Sequence, residues 1–577
     1  MKIKKIRTIV FLLILTTILS MLPVSSATNL SISEEPIISD RLSKELDKHS
    51  SEKIDVNIWF KDSSQYEISK LITEKLGMTE AEWKLSVSDD TPIEEIHAFK
   101  KMKAEISSKV YTKNNTALAK KHLASEEITY ISKYSPSVLA TLSANKIRSI
   151  ATKSNDILNI DLYSDEVVEC AIAVEDYTIE EMAAKINELP TSYTGEGINI
   201  GIFDIEVPNQ EDILSCAYMG HYGSNTSQEG GELSHAEKMA NIIIDIAPDA
   251  NYYFAGGEGG TVFEFVEWMV NHTVDVINIS MRCGQELSEY TNTSKWFDHI
   301  SYQHYITVVA AVGNKLKPDY IELTLLGEAQ MAYNPIAVGA IDVGSSPNRY
   351  NDDKQGSSTY STETSYSVPF KPDICAPYGD SSSSAALVTG VVALLMCERN
   401  SLIPYPETIK SILTACVNTI SNFRFLPKDR STNTQIDSYM KFGAGLIDAY
   451  LTLTCAISGN YVQDLMLSSD TTKTYTFTVT NTNPVRISLA FLQPVEITSS
   501  NHIGTSNLSN HAKIDLDLSI RSSSTSTQYC YSSTSANNIE IVTFTPPAPG
   551  TYTIRVSRFG EQSESVDAWY GIAWHQE

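Results

Sequence analysis

The sequence is poor in the residues that mark fibrous or disordered chains. In 577 residues there are 27 Gly and 21 Pro, and 42% of the chain is hydrophobic against 20% charged. Collagen-like, low-complexity and mostly disordered classes are thereby excluded. Positive charge is scarce as well: 44 Lys and Arg against 70 Asp and Glu leave a net charge of −26. Gripping phosphates needs concentrated Lys and Arg, so nucleic acid is not expected as a partner. The eight cysteines (Cys170, Cys216, Cys283, Cys375, Cys397, Cys416, Cys455 and Cys530) form no C-x-x-C pair, so neither a zinc site nor a thioredoxin-type site is suggested. Cys397 and Cys416 lie in apolar helical runs and read as core residues. There is no G-x-S-x-G and no compact D-x-D-type loop. Past the N-terminus no stretch approaches 18 unbroken apolar residues, so no stable membrane insertion is expected.

What is present begins with an address. Lys2, Lys4, Lys5 and Arg7 precede a mostly apolar run from Ile9 to Leu22, followed by the small residues Ser25 and Ala27. This reads as a secretory signal peptide over residues 1–27, and a secreted, extracellular protein is expected. Its removal takes four positive charges and no negative ones, making the chain more acidic still. Length alone allows roughly four segments at ~150 residues each.

Three textures follow. Residues 28–168 are rich in Lys and Glu and mostly helical in pattern. Two strand-like pieces, "KIDVNIWF" (53–60) and "ILNIDLY" (157–163), flank the helices. In residues 169–458 short apolar runs alternate with helical ones: "GINIGIF" (197–203), "ANYYFAG" (250–256), "DVINISM" (275–281), "ITVVAAVG" (306–313) and "NPIAVGAID" (334–342). Such buried strands imply an α/β fold, a mainly parallel sheet with helices on both faces. Residues 459–577 are dense in Ser and Thr, with alternation in "TYTFTVT" (474–480) and "DLDLSI" (515–520). They read as a small β-sandwich.

Four residues of the middle segment sit where chemistry gathers. Asp204 ends a strand, the usual place for active residues in open α/β sheets. His235 opens a helix that Ser234 and Glu237 would start with a capping box. Asn314 follows a strand and Gly313, and its carboxamide can donate to an oxyanion. Ser382 lies in the first turn of "DSSSSAALVTGVVALLM", a run so apolar that its helix should be buried. Unpaired N–H groups and a positive dipole end meet a serine there. Singly, each residue also reads as an ordinary turn, cap or surface position.

Together the four, in the order Asp, His, Asn, Ser, resemble the subtilisin-like serine proteases. "HAEKMANIIIDIAPDA" is similar to the family's "HGTHVAGIIAGIAPNA", and "VVAAVGN" to its oxyanion Asn motif. "KPDICAP" (371–377) with "DSSSSAALVTG" resembles "KPDIAAPG" and "GTSMAAPLVTG", while "FGAGLIDA" (442–449) resembles the closing helix motif. The resemblance covers about 290 residues (169–458) and implies a secreted serine endopeptidase acting through an acyl-enzyme. Asp204, His235 and Ser382 would form its triad and Asn314 its oxyanion hole. Ser280, Met281 and Arg282 would bind substrate, a peptide or protein pairing with the strand Ile279–Met281. The resemblance further implies that residues 28–168 are a propeptide with a helical insertion near 63–124, needed for folding and then removed at a boundary between Ser164 and Ala173. It implies a C-terminal domain like the pre-peptidase or P-like sandwiches. A monomer without cofactor is expected; structural calcium is common in the family, but no ligands can be named.

The sequence also departs from the family. Ile205-Glu206 follow Asp204 where Thr/Ser-Gly is usual. Ala236 and Lys238 replace a Gly and a second His, and Asp380-Ser381 replace Gly-Thr. Arg282 stands where a Gly commonly lines the S1 pocket. A carboxylate at Asp380 is expected to slow acylation. These departures leave an alternative open, a catalytically weak or inactive subtilase-fold protein that binds peptides or cell-surface material.

Overall fold

The structure is a computed structural model. It describes residues 38–48, 52–61, 64–169, 193–224, 233–258, 260–284, 290–314, 326–342, 353–354, 358–360, 369–418, 442–495, 514–525, 527–534, 537–559 and 567–577. The signal-peptide reading for residues 1–27 and Cys170 fall outside them.

The N-terminal segment is an antiparallel sheet with two sets of helices. In chain order it contains α1 (Asp40–Lys48), β1 (Lys53–Phe60), α2 (Ser64–Leu76), α3 (Glu80–Ser86), α4 (Ile93–His122), β2 (Ile128–Ile131), β3 (Ser137–Ser143), α5 (Ala144–Lys153) and β4 (Ile157–Leu162). The strand order is β2-β3-β1-β4. The two expected strands are β1 and β4; β2 and β3 were not anticipated. β3 is buried on both faces over most of its length, so it lacks the alternation that marks a half-exposed strand. Leu42 and Leu46 of α1 and Ile147 of α5 cover one sheet face, packing on Val56, Ile58 and Val138. The anticipated helical insertion is α2 to α4. Thr79 and Glu82 close a capping box at α3. The buried stripe of α4 runs through Ile96, Phe99, Lys100, Lys103, Ser107, Val110 and Tyr111. The spacing is helical, but two of its members are lysines.

The middle segment is built on a mainly parallel sheet. Its elements are β5 (Val167–Glu169), β6 (Asn199–Asp204), β7 (Ala217–Gly223), α6 (His235–Ile246), β8 (Asn251–Gly256), α7 (Val262–Asn271), β9 (Val276–Ile279), β10 (Met281–Cys283), α8 (Asn292–His304), β11 (Thr307–Ala311), β12 (Ile336–Asp342), β13 (Asp353–Lys354), β14 (Ile374–Ala376), α9 (Ser381–Glu398), α10 (Pro406–Ala415), β15 (Val417–Asn418), β16 (Leu446–Ile447) and α11 (Ala449–Ile457). The order across the sheet is β15-β16-β14-β12-β11-β9-β6-β8-β7. After β6 the chain builds outward to β8 and β7. From β9 it builds the other way, so the topological switch lies between β6 and β9. Alternate residues point to opposite faces. Ile200, Ile202 and Val309 pack with α6 and α9, while Phe203, Ile277 and Val308 pack with α7 and α8.

The C-terminal segment is the expected sandwich of two four-stranded antiparallel sheets. It contains β17 (Tyr461–Met466), β18 (Thr472–Val479), β19 (Val485–Phe491), β20 (Leu516–Ser522), β21 (Gln528–Ser532), β22 (Ile539–Phe544), β23 (Gly550–Arg558) and β24 (Ala568–Gln576). The sheets run β17-β24-β19-β22 and β18-β23-β20-β21. Along β23, Tyr552, Ile554 and Val556 turn inward while their neighbours are more exposed. The first sheet lies on α10. Gly571 permits the approach, since a Cβ there would stand 2.3 Å from Thr408 Cα.

Two buried carboxylates of the middle segment give stability opposite pH slopes. Burial pushes Glu267 of α7 up to about 7, although Ser132, Tyr130 and the Lys133 N–H all donate to it. A raised carboxyl favours the folded state most below the unfolded value near 4.5, and the advantage is lost as pH rises through 7. At Asp275 burial pushes the other way but is outweighed. His97 and Lys100 hold the carboxyl well below the usual range, so its contribution is present above about 4 and lost as pH falls below that. The thermal midpoint should therefore decline between pH 5 and pH 8. Glu267→Gln should flatten that decline by on the order of 3 kcal/mol in unfolding free energy. Denaturant unfolding of both proteins across this range checks it, and parallel curves would contradict it.

Candidate active site

Asp204, His235 and Ser382 come from three elements that end at the switch between β6 and β9. Asp204 is the last residue of β6 and 1% exposed. His235 is the first residue of α6, and its ring is equally enclosed. The anticipated capping box is formed: the Ser234 hydroxyl accepts from the Glu237 N–H at 3.2 Å, and Glu237 Oε2 accepts from the Ser234 N–H at 2.6 Å. Glu237 Oε1 also takes the Asn209 N–H and its amide, both at 3.1 Å, which ties the helix start to the loop after β6. With the helix start pinned, His235 Nδ1 lies 2.8 and 2.9 Å from the two Asp204 carboxylate oxygens. Asp204 Oδ1 also accepts the Ile205 N–H at 2.8 Å. A carboxylate so held fixes the ring's orientation and keeps the proton on Nδ1.

Ser382 stands in the first turn of α9, whose burial was expected and is nearly complete as far as Met396. This helix is apolar and long enough to cross a membrane by composition, but it is the core of this fold. Gly390 makes its crossing with α6 possible: a Cβ there would meet Ile246 at 2.7 Å.

The four consecutive serines have four different partners. Ser381 Oγ accepts the Gly313 N–H at 3.0 Å, and Ser383 Oγ donates to Asp380 at 3.1 Å. Ser384 Oγ donates to the Ala376 carbonyl at 3.2 Å. Ser382 Oγ donates to the Ser280 carbonyl at 2.8 Å, and Ser280 Oγ returns a bond of 2.8 Å to the Ser382 carbonyl. Asn278 donates to Ser280 Oγ at 2.8 Å and accepts from Thr389 of α9 at 3.1 Å. This chain from β9 to α9 was not foreseen; its only signal in the sequence is a run of small polar residues inside otherwise apolar elements.

Asn314 reaches the same helix end. Its side-chain oxygen accepts the Ser381 N–H at 3.1 Å, and Gly313 turns the chain there with φ +96°. Of the strand Ile279–Met281 expected to pair with a substrate, Ile279 closes β9 and Met281 opens β10. Ile279 belongs to β9, which is hydrogen-bonded on both sides, and the edge available beside Ser280 is β10. There the chain's own β5 is seated antiparallel, with Met281 opposite Glu169 and Arg282 opposite Val168. Arg282 Nη2 lies 3.6 Å from Glu166. The segment boundary anticipated at 168/169 thus falls inside β5. Among the described residues no group of three His, Cys, Asp or Glu side chains could hold a metal ion.

Asp380 is the N-cap of α9. Its carboxylate accepts the Ser383 N–H at 2.8 Å. Burial raises its pKa, and the Ser383 bonds, His235 and the Ser382 N–H oppose the rise. The carboxylate is thus held mainly by Ser383, with the Ser382 N–H and His235 nearby.

Residues 217–445 match the sequence model of the Subtilase family. Residues 471–558 match that of the bacterial pre-peptidase C-terminal domain. Among solved structures the chain is similar to the epidermin leader peptide processing serine protease from Staphylococcus aureus, at 15% identity and TM-score 0.42, over 70% of this chain and 99% of that one. It is also similar to the patellamide maturation protease PatA, at 18% identity and TM-score 0.33, over 46% and 98%. The chain is also similar to the pre-peptidase C-terminal domain of a collagenase from Bacillus anthracis, at 18% identity and TM-score 0.14, over 20% of this chain and 87% of that one. No curated protein sequence matches the chain. The middle segment has a subtilase-like α/β fold, followed by a β-sandwich.

Because Asp380 both caps the helix and carries charge, two substitutions separate the roles. Asp380→Ala should cost ~1 kcal/mol of stability, whereas Asn, an equally good cap, should cost little. Removing the charge should speed labelling of Ser382 by a fluorophosphonate, with Asp380→Asn faster than the parent chain. Equal labelling rates would reduce Asp380 to a cap.

Proposed function

We propose that this chain, which carries a Subtilase-family domain and a pre-peptidase C-terminal domain, is a secreted serine endopeptidase that cuts peptide bonds through an acyl-enzyme. The observation that carries the reading is the two-oxygen contact of Asp204 with His235 Nδ1 beside the N-terminus of α9. In this mechanism Ser382 turns its hydroxyl from the Ser280 carbonyl toward His235 and attacks the scissile carbonyl. His235 takes the serine proton at Nε2 and later gives it to the leaving amine. Asp204 keeps the ring oriented and stabilises the imidazolium. The Ser382 N–H and the Asn314 amide receive the oxyanion, and one such donor is typically worth roughly 3–4 kcal/mol. Water then attacks the acyl-enzyme with His235 as base. A substrate pairs along β10 as an added strand, on the edge where β5 sits in the intact chain. That pairing supports the chain as its own first substrate, cut between Ser164 and Ala173, because the bond is held near Ser382 at high effective concentration.

Self-cutting is the test. Ser382→Ala removes one hydroxyl and should leave the precursor whole, at about 550 residues after loss of a signal peptide. The unaltered chain should yield pieces of about 140 and about 410 residues and take a fluorophosphonate label. Ser381→Ala and Ser383→Ala should still process, since those hydroxyls serve Gly313 and Asp380. A folded parent chain that stays uncut and unlabelled would favour the alternative, a subtilase-fold protein that binds peptides or cell-surface material without cleaving them.

Specificity follows from Arg282. A guanidinium at the pocket wall fills space and favours carboxylates, as its pairing with Glu166 illustrates. Acidic or small P1 residues are expected to be preferred, with poor cleavage after Lys or Arg. A peptide-library profile dominated by basic or large apolar P1 residues would overturn this.

A further inference from the structure

The C-terminal sandwich meets the α/β segment through buried polar contacts. α10 lies between the two, and every one of its residues is buried. Thr414 of α10 shares a 2.7 Å hydrogen bond with Ser488 of β19. Lys410 Nζ donates to the Tyr333 carbonyl at 2.7 Å and reaches Asn538 Oδ1, just before β22, at 3.4 Å. Glu407 pairs with Lys84 of α3 at 3.0 Å, and that ammonium lies 4.2 Å over the Trp569 ring of β24. Domains of one chain move against each other unless their interface is extensive and well buried. This interface is buried along a whole helix, so the sandwich is held in one position.

One contact of the interface leads toward the candidate substrate pocket. Asn334 and Gln493 are both buried. The Gln493 N–H donates to Asn334 Oδ1 at 2.8 Å, and the Asn334 amide returns a bond of 3.0 Å to the Gln493 carbonyl. Gln493 is fixed in turn by Ile514: its side chain donates to the Ile514 carbonyl at 2.7 Å and accepts the Ile514 N–H at 3.0 Å. On the other side the Asn334 amide donates to the Asp298 carbonyl at 3.0 Å, and its N–H to Asp298 Oδ1 at 2.6 Å. A buried donor or acceptor left without its partner costs more than a made bond contributes. Every link here therefore holds one geometry.

The stretch that ends at Asn334 braces β10. The Glu328 N–H donates to the Cys283 carbonyl at 2.9 Å, and the Gln330 amide to the Met281 carbonyl at 2.9 Å. Gly327 lies directly on Arg282, since a Cβ there would stand 2.6 Å from Arg282 Cγ. A shift of residues 326–335 would move the wall against which the Arg282 side chain rests.

We propose that the sandwich helps to set which side chain the substrate pocket accepts: Gln493, acting through Asn334, is a positioning contact that holds residues 326–335 against Met281 and Arg282. The pocket rests on the protease reading. The coupling rests on the contacts of Asn334 and Gln493. The sandwich is then a working part of the binding wall, and not an appendage to it.

Hydrogen exchange tests the coupling without any catalysis. It is measured on the full chain carrying Ser382→Ala, with and without Asn334→Ala. The amides of residues 326–335 and of β10 should exchange at least about 10-fold faster when Asn334 is replaced. Ser488→Ala, which removes the Thr414 contact and leaves Asn334 its partners, should not change them. Equal exchange in the presence and absence of Asn334→Ala overturns the proposal. In the chain that keeps Ser382, Asn334→Ala should lower the ratio of kcat/KM for peptides with Glu and Gln at P1 by about 10-fold. A small fluorophosphonate, which needs only the triad, should label at the parent rate. An unchanged ratio overturns the proposal, as does labelling that falls in step with peptide cleavage, the mark of a general loosening. If Asn334→Ala does not fold, Gln493→Ala removes only the pair with Ile514 and is read in the same way. A parent chain that cleaves no peptide fails the protease reading instead, and the exchange result then decides the coupling alone.

Discussion

The crossing of α9 over α6 is the constraint on which the site depends. An 18-residue helix with almost no solvent-facing residue has no polar stripe to orient it. Its position is set by close packing with the sheet and by the 2.7 Å approach that Gly390 allows at Ile246. That contact fixes how α9 crosses the C-terminal end of α6, and these two helices carry Ser382 and His235. Any larger side chain at Gly390 would push the two helices apart at that crossing, and with them the elements that bear Ser382 and His235.

Polar contacts then refine what packing has roughly placed. The Ser280–Ser382 pair and the Asn278–Thr389 bond pin α9 to the end of β9. Glu237 pins α6 to its N-cap and to Asn209. Apart from the half-buried Asn209 bonds these are buried, where a satisfied hydrogen bond is stronger and an unsatisfied one costs more than in water. The consequence is that the ends of β6, β9, α6 and α9 are held in one arrangement by several independent contacts.

The N-terminal segment shows a different use of burial. Lys84, Lys100 and Lys103 would be solvent-facing in an isolated helical domain. Here burial pushes all three ammonium groups below the ordinary lysine value, against the carboxylates that face them. Ion pairs of this kind are a poor way to gain stability, since well-packed apolar residues of equal volume do as well. What they supply is register: a lysine on α4 that slides one turn loses Asp275 altogether. The helical insertion is thus seated in one position on two other segments, at the expense of tolerance to change.

The sequence by itself determined the elements that report a local period. β1, β6, β8, β11 and β12 begin and end within two residues of the runs that announced them, and the capping box at His235 was legible as S-x-x-E. So was the order of Asp204, His235, Asn314 and Ser382, because each sits at the end of an element whose type is set by near neighbours. Only the tertiary structure decided which of four consecutive serines meets Ser280, that a separate strand, β10, begins at Met281, and that β5 pairs with it. Only it brought Lys84 to Glu407, 323 residues away. A lysine on a helix carries no mark of its partner, since helical spacing says which face it shares and nothing about what that face will meet. Burial and long-range pairing are properties of the packed whole, and no window of the chain contains them.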